Sequence, residues 1–256
     1  MRLVTVFAAA PLLVGLVTSL SLRAQPPTFE VASIKPARPG QIGTTSNVGS
    51  GRTLILKNYA LKHLVMRAYD VPDFQVSGAS GWMAFETYDI VATGDVVESE
   101  PARRFELTRL RLQALLADRF QLQIHRESKE LPVYALVVAK NRPILKENQE
   151  SNVGGNLSTS IGRTGTITGS RSSMPDLAKA LSRILSRPVE DQTGLTAGFD
   201  FKLTWLPDSV SPETAVASDL PSLFTALQQQ LGLRLESRRG PVEVIVIDRA
   251  SKPSEN

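Results

Sequence analysis

The chain has 256 residues, of which 42% are hydrophobic and 21% charged, with a formal charge of +4 and no cysteine. That apolar content excludes a disordered chain and is enough for one large core or two of ordinary domain size. The missing cysteine excludes disulfides, thiol catalysis, Cys-based zinc sites and lipid attachment through an N-terminal Cys.

The N-terminus reads as an export signal. Arg2 supplies a positive start, and Leu3 to Leu22 is uncharged and rich in Val, Leu, Ala and Phe. Leu22-Arg23-Ala24 places a small residue at the cleavage position, and Gln25-Pro26-Pro27 begins a polar, helix-breaking exit. Cleavage after Ala24 is expected, with a retained anchor as the alternative, since the run is long enough to cross a bilayer. No later stretch approaches that uncharged length, so no membrane span is expected in the mature chain. Loss of Arg2 and Arg23 leaves 27 basic against 25 acidic residues. The sequence pI near 9.5 therefore does not mark a nucleic-acid binder, which needs cations gathered on one face. The densest group, Arg103, Arg104, Arg109 and Arg111, alternates with Glu106, Leu107, Leu110 and Leu112 and reads as a solvated helix face.

In chain order, Thr28 to Ile34 alternates as a strand, ended by Lys35-Pro36 and Pro39-Gly40. A loop rich in Gly, Ser and Thr runs to Gly51, and a strand follows from Thr53 to Leu56. Asn58 can cap a helix whose Leu61, Leu64, Val65 and Ala68 share one face, and Pro72 stops it. Phe74 to Val76 and Tyr88 to Ala92 read as strands around a turn-rich loop with Gly78, Gly81 and Trp82. A helix over Ala102 to Asp118 precedes strands at Gln121 to His125 and Val133 to Ala139, separated by the breaker Pro132.

The same order then recurs. Gly51-Arg52-Thr53 is echoed by Gly162-Arg163-Thr164, and Tyr88-Asp89-Ile90 by Phe199-Asp200-Phe201, each 111 residues on. Ala114-Leu115 is echoed by Ala226-Leu227 at 112 residues, and Pro132-Val133 by Pro241-Val242 at 109. In the second copy Ser173 and Asp176 have capping-box spacing before a stripe of Leu177, Leu181, Ile184 and Leu185. The last helix carries Leu220, Leu223, Phe224, Leu227 and Leu231 and meets Gly232, where a left-handed cap is expected. Helices with one apolar stripe need a sheet to cover it. The expected fold class is therefore α+β: two tandem pseudo-repeats of strand, helix, strand, strand, helix, strand, strand, with the helices packed on mostly antiparallel sheet. The divisions are a signal peptide over 1–24, a first repeat over 25–145, a polar linker over 146–161 and a second repeat over 162–256. Pro207 to Ser218 reads as an insertion in the second copy.

Chemistry is sparse. The two histidines, His63 and His125, lie in no spaced metal motif, and Gly78-Ala79-Ser80-Gly81 puts its serine one residue late for a nucleophile elbow. Walker and dinucleotide glycine patterns are missing, so no phosphate cradle is indicated. Asp89 and Asp200 hold equivalent places, where a strand-edge hydrogen bond explains a carboxylate more simply than acid–base work. Trp82 and Trp205 could face a sugar ring or a peptide, but core packing explains them too. No catalytic, cofactor-binding or metal-binding residue is assigned.

Several segments together resemble a known family. Phe29-Glu30-Val31-Ala32-Ser33-Ile34-Lys35-Pro36, Tyr69-Asp70-Val71-Pro72 with Phe74-Gln75-Val76-Ser77-Gly78, and Tyr88-Asp89-Ile90-Val91-Ala92 are similar to the soil-associated family of exported bacterial proteins of unknown function. Leu115 to Phe120, Leu131 to Leu136, Asp191 to Thr196 and the ending Lys252 to Asn256 fit the same family. The resemblance brings no catalytic residues with it. Some relatives join such a domain to an antibiotic-sensor-type membrane metallopeptidase, but this chain has neither the membrane helices nor a zinc motif, so no protease activity is implied. More distantly, the strand-helix-strand-strand units look like the small N-terminal modules of secretins and TonB-linked receptors, an analogy of fold only. The expected function is that of a binding or interaction module, periplasmic or secreted. Its expected partner is an envelope protein, a peptide or a glycan. The alternative is an envelope hydrolase working through Asp89, Asp200 or Glu86, which requires two carboxyl groups facing one cleft.

Overall fold

The computed structural model describes residues 26–41, 43–49, 52–95, 98–140, 143–148, 155–208 and 219–253. The leader over 1–24, its cleavage point, and all of the expected insertion beyond Asp208 lie outside the described residues. The described residues form an α+β fold of three four-stranded sheets.

The first outer sheet holds β1 (Val31–Pro36), β2 (Thr45–Gly49), β3 (Thr53–Ala60) and β5 (Thr87–Thr93) in the order β1-β5-β3-β2, antiparallel throughout. The second holds β7 (Lys146–Glu147), β8 (Asn156–Ile161), β9 (Gly165–Ser172) and β11 (Phe199–Trp205) in the order β7-β11-β9-β8, also antiparallel. Strand for strand, the two orders correspond. Between them lies a central sheet, β10-β6-β12-β4, built on the long antiparallel pair β6 (Gln123–Val138) and β12 (Leu233–Arg249). The short strands β4 (Val76–Ser77) and β10 (Val189–Asp191) flank it, β4 parallel to β12 and β10 parallel to β6. Each short strand thus pairs with the long strand of the other half of the chain.

Core membership follows the same exchange. One core gathers Leu54, Leu56, Ile90, Leu112 and Phe120 with α1 (Leu61–Tyr69), and it is completed by Ile245 and Ile247 of β12. The other gathers Ile167, Leu203, Trp205 and Leu227 with α4 (Met174–Leu185), and it takes in Leu136 of β6. Each half therefore donates the far end of its last strand to the core of its neighbour.

Local chemistry explains most element boundaries. Ser173 caps α4 by accepting the Asp176 amide at 3.2 Å, and its hydroxyl meets the Asp176 carboxylate at 2.6 Å. A short helix α5 (Leu223–Ala226) runs into a π-helical turn over Leu227–Leu231 that ends on Gly232 at φ 66°. Leu220 lies before this helix rather than in it. Helix α3 covers Pro101–Arg119 and a single turn, α2, covers Trp82–Phe85.

Four expectations need correction. Asn58 does not cap α1, whose N-terminal residue Ala60 makes no side-chain cap. Asn58 sits instead in a bulge of β3 at φ 64°, and its amide group donates to the Gln41 and Gly43 carbonyls. Phe74 belongs to a 3-10 turn over Asp73–Gln75, not to a strand. The strands expected on either side of Pro132 are one strand, β6. Tyr134 two residues on turns its amide to the Pro188 carbonyl, so alternation points the missing donor of Pro132 to that same side, beyond the end of β10. No ladder bond is lost there. Finally, the polar segment expected as a linker contributes β7 and β8 to the second outer sheet. Strand β8 reads as polar because it is a sheet edge and only Leu157 packs against the core.

Candidate functional site

The site grows from the exit of α1. Asp70 ends that helix in the left-handed conformation at φ 52° and ψ 43°, one of the few non-glycine conformations a short polar side chain tolerates. Val71 then donates to the Met66 carbonyl at 3.0 Å, which fixes the turn. This brings the Asp70 carboxylate to the second half of the chain. Lys179 and Arg183, one helical turn apart on α4, reach it at 2.7 and 2.8 Å, and Arg109 of α3 reaches it at 3.1 Å. Burial works to raise the Asp70 pKa, but the Lys179 hydrogen bond and the charges of Lys179, Arg183 and Arg109 overcome it and hold the carboxyl below its usual range.

Asp70, Lys179 and Arg183 sit between two cavities and line both. The smaller, about 300 Å³, lies toward Pro72, Pro188 and Val242. The larger is an open groove of about 1100 Å³. One wall comes from α1 and α3, with His63, Met66, Arg67, Phe105 and Arg109. The other comes from α4 and alternate residues of β8, Leu157, Thr159 and Ile161. Phe105 and Ile161 are 60% and 53% exposed, and both line this groove, so their apolar surfaces share one concavity rather than being scattered singly.

The carboxylates singled out in the sequence do not meet there. Asp89 lies on β5 in the first outer sheet and accepts the Asn58 amide at 2.9 Å. Asp200 lies on β11 in the second and accepts the Arg171 amide at 2.8 Å and the Asn148 side chain at 2.8 Å. Asn58 and Arg171, at φ 64° and 49°, are each the bulged residue opposite the aspartate. Each aspartate therefore caps a bulge. The backbone bond from Arg171, then the Asn148 amide, hold the Asp200 carboxyl below its usual pKa. Glu86 pairs with Lys252 at 2.6 Å.

Both tryptophans are used in packing. Trp205 is buried in the second core, over a glycine, Gly165, whose missing side chain leaves room for the indole. Trp82 stands edge-on to Tyr88 at 6.4 Å against the first core. His125 bonds Asp248 at 2.8 Å, away from the groove, while His63 lines it. Among the described residues no three His, Asp or Glu side chains gather as a metal site. Nor is the arginine group on α3 one solvated face. Arg103 is exposed, Arg109 enters the groove, and Arg111 is buried, paired with Asp95 at 2.7 Å and 5.9 Å above the Phe29 ring. A buried guanidinium needs such a partner, and the chain around Gly94 and Asp95 supplies it.

No motif in the sequence marks Arg67, Asp70, Phe105, Lys179 or Arg183 as site residues. Tyr69-Asp70-Val71-Pro72 stood out only as a shared segment, and no spacing rule connects residue 70 with residue 179.

Fold and site together define an α+β protein with a cationic, partly apolar groove that Glu86, Asp89 and Asp200 do not line. The chain belongs to the DUF3738 family, described as proteins of unknown function, whose family model matches residues 62–250. That span contains every charged residue of the Asp70 cluster. Comparison with curated proteins and with solved structures gives no match.

Proposed function

We propose that this chain is an exported binding module of the bacterial cell envelope or its surroundings, and that it holds a peptide segment of an envelope protein in the groove between α1, α3, α4 and β8. Export rests on the leader from Met1 to Ala24 and its small-residue cleavage position. No helix among the described residues is long and apolar enough to cross a membrane. The observation that carries the binding role is the groove itself: about 1100 Å³, with Phe105 and Ile161 exposed beside a cluster of cations. Ligand sites combine apolar lining with a few convergent polar groups in this way. A peptide is favoured over a sugar because both tryptophans, the best stacking surfaces for a sugar ring, are spent on packing. Strand β8 adds a second reason, since among the described residues it is hydrogen-bonded to β9 on one side only, which leaves the other for an extended chain. The corresponding strand orders and the recurring sequence offsets further support an origin by internal duplication.

The test has two parts. Protein recovered from a bacterial host should begin at or within a few residues of Gln25 by N-terminal sequencing, and full-length protein found only in membranes would overturn export by cleavage. A thermal-shift screen of short peptides and oligosaccharides should return peptides, because a ligand of the native state raises the melting temperature. Substitution of Phe105 by Ser, on the exposed groove wall, should remove that shift without lowering the melting temperature of the free protein.

A further inference from the structure

We infer that the groove's ligand is an acidic peptide, and that one of its carboxylates takes the place on Lys179 and Arg183 that Asp70 holds in the free protein. This rests on the groove reading above and adds the chemistry of recognition to it.

The charge count in the groove is uneven. Arg67, Arg109, Lys179 and Arg183 line it, against the carboxylates of Asp70 and Asp176. Asp176 is already bound to the Ser173 hydroxyl at the start of α4. Among the described residues, Asp70 is the one acceptor that Lys179 and Arg183 meet, and Arg67 meets none. An ammonium carries three donors and a guanidinium five, so most of the donor capacity of these side chains has no protein partner. Both side chains are also accessible, at 54% and 53% exposure. An incoming carboxylate thus finds donors already gathered to one point, and little work is needed to arrange them.

Asp70 gathers them. Its carboxylate is tethered by the left-handed exit of α1 and reaches across to α4 in the other half of the chain. While it is in place, it keeps three like charges close together at little cost. When a ligand carboxylate replaces it, the same cations stay neutralised, and the bridge from α1 to α4 is exchanged for one through the ligand.

The peptide character comes from β8. Its sequence, Asn156-Leu157-Ser158-Thr159-Ser160-Ile161, has no charge and no proline, two of the devices that keep an edge strand from pairing. Leu157, Thr159 and Ile161 line the groove, so a chain laid beside β8 would turn alternate side chains toward Phe105 and the cations.

The experiment uses the purified mature chain and two short fluorescein-labelled peptides, one of alternating leucine and glutamate and one with glutamine in place of glutamate. Fluorescence anisotropy should show the glutamate peptide binding about tenfold or more tightly than the glutamine peptide at low ionic strength, with the difference shrinking in high salt. Lys179→Gln combined with Arg183→Gln should bring the glutamate peptide to the affinity of the glutamine one. Asp70→Asn, whose amide oxygen can still accept from Lys179 and Arg183 and keep them gathered, should tighten the glutamate peptide several-fold and leave the glutamine peptide unchanged, because it removes the competing charge. Equal binding of the two peptides would overturn the inference and leave the peptide groove standing. Binding of neither would overturn both. Binding of a fluorescein-labelled oligogalacturonate without binding of the acidic peptide would show an anionic glycan instead and also overturn it. If Asp70→Asn does not fold, the Lys179 and Arg183 pair, on an exposed helix face, decides the matter alone.

Discussion

The two outer sheets share one strand order, but the helices that lead out of them differ greatly in length. After β5, α3 runs for 19 residues. After β11, α5 has 4 residues and a 5-residue π-helical turn before Gly232. At the 112-residue spacing of Ala114-Leu115 and Ala226-Leu227, Leu223 at the start of α5 stands opposite Arg111, and the positions opposite the first turn of α3 lie outside the described residues. The turns of α3 before Arg111 carry Phe105, Thr108 and Arg109 into the groove. The groove is thus lined from a part of α3 that α5 does not repeat, and function is to be sought where the halves differ rather than where they agree. The places where they agree are structural. Asp89 with Asn58 and Asp200 with Arg171 stabilise the same bulge, and Asp70 and Ser186 both end a helix in the left-handed conformation.

The strongest way to break the comparison is to separate the halves. Expressed alone, residues 26–145 lack Ile245 and Ile247, and residues 146–253 lack Leu136, so each has an open core face and an unpaired long strand. Neither should give a cooperative thermal transition by circular dichroism, while co-expressed halves should be recovered as one complex. A sharp transition from either half alone would show that the exchanged strands are not required. A smaller effect along the same line is expected from Leu136→Ala. This side chain is fully buried in the core of the opposite half, and its loss should cost about 2–5 kcal/mol in urea denaturation. Hydrogen exchange should then rise first in β9 and β11 rather than in β3 and β5.

Equivalent turns sharpen the comparison further. Gly78 after β4 and Gly194 after β10 both have positive φ, at 81° and 70°. A Cβ on Gly78 would lie 2.4 Å from the backbone oxygen of Ile247 in β12, whereas one on Gly194 meets nothing within 4 Å. Gly194→Ala should therefore cost only the left-handed penalty, about 1–2 kcal/mol. Gly78→Ala should cost distinctly more, because β12 must move away from β4. Equal losses in chemical denaturation would mean that the β4–β12 contact is loose.

Much of this architecture was legible in the sequence, and the exceptions have physical causes. Periodicity marked α1, α3 and α4, and side-chain chemistry marked the Ser173 cap and the Gly232 stop. The paired aspartates read correctly as acceptors of backbone hydrogen bonds. Periodicity failed at β6, because a proline is harmless on a strand side that has no neighbour, and only the sheet order reveals that side. It failed at β8 because an edge strand need not alternate strongly. Arg111 was misplaced because a guanidinium with a private carboxylate can be buried. The groove itself was not legible. Its cations are distant in sequence and belong to different halves, and their meeting depends on the strand exchange that no local pattern encodes.

The smallest expected effect is an acid dependence at the Asp200 bulge. The Asp200 carboxyl is held below its ordinary pKa by the Arg171 amide and the Asn148 side chain, with Lys146 and Arg171 adding favourable charge. In the unfolded chain an aspartate titrates at about 3.9. A carboxyl whose folded pKa is depressed contributes stability that is fully present above the unfolded value and is lost as pH falls through the folded one. Melting temperature should therefore fall as the solution is acidified below about pH 4. Asp70, depressed by Lys179, Arg183 and Arg109 against its burial, contributes in the same sense. In Asp200→Asn the neutral amide can still accept from Arg171, but it has no proton to gain, so its own part of the acid dependence disappears. Wild type should be the more stable protein at neutral pH, and the gap should close on acidification. Asp70→Asn should remove a separate share of the dependence, and the double variant should lose both, since the two sites have no partner in common. Parallel curves for wild type and Asp200→Asn across the acid range would show that the bulge is held by geometry alone and that the carboxylate charge contributes nothing to it.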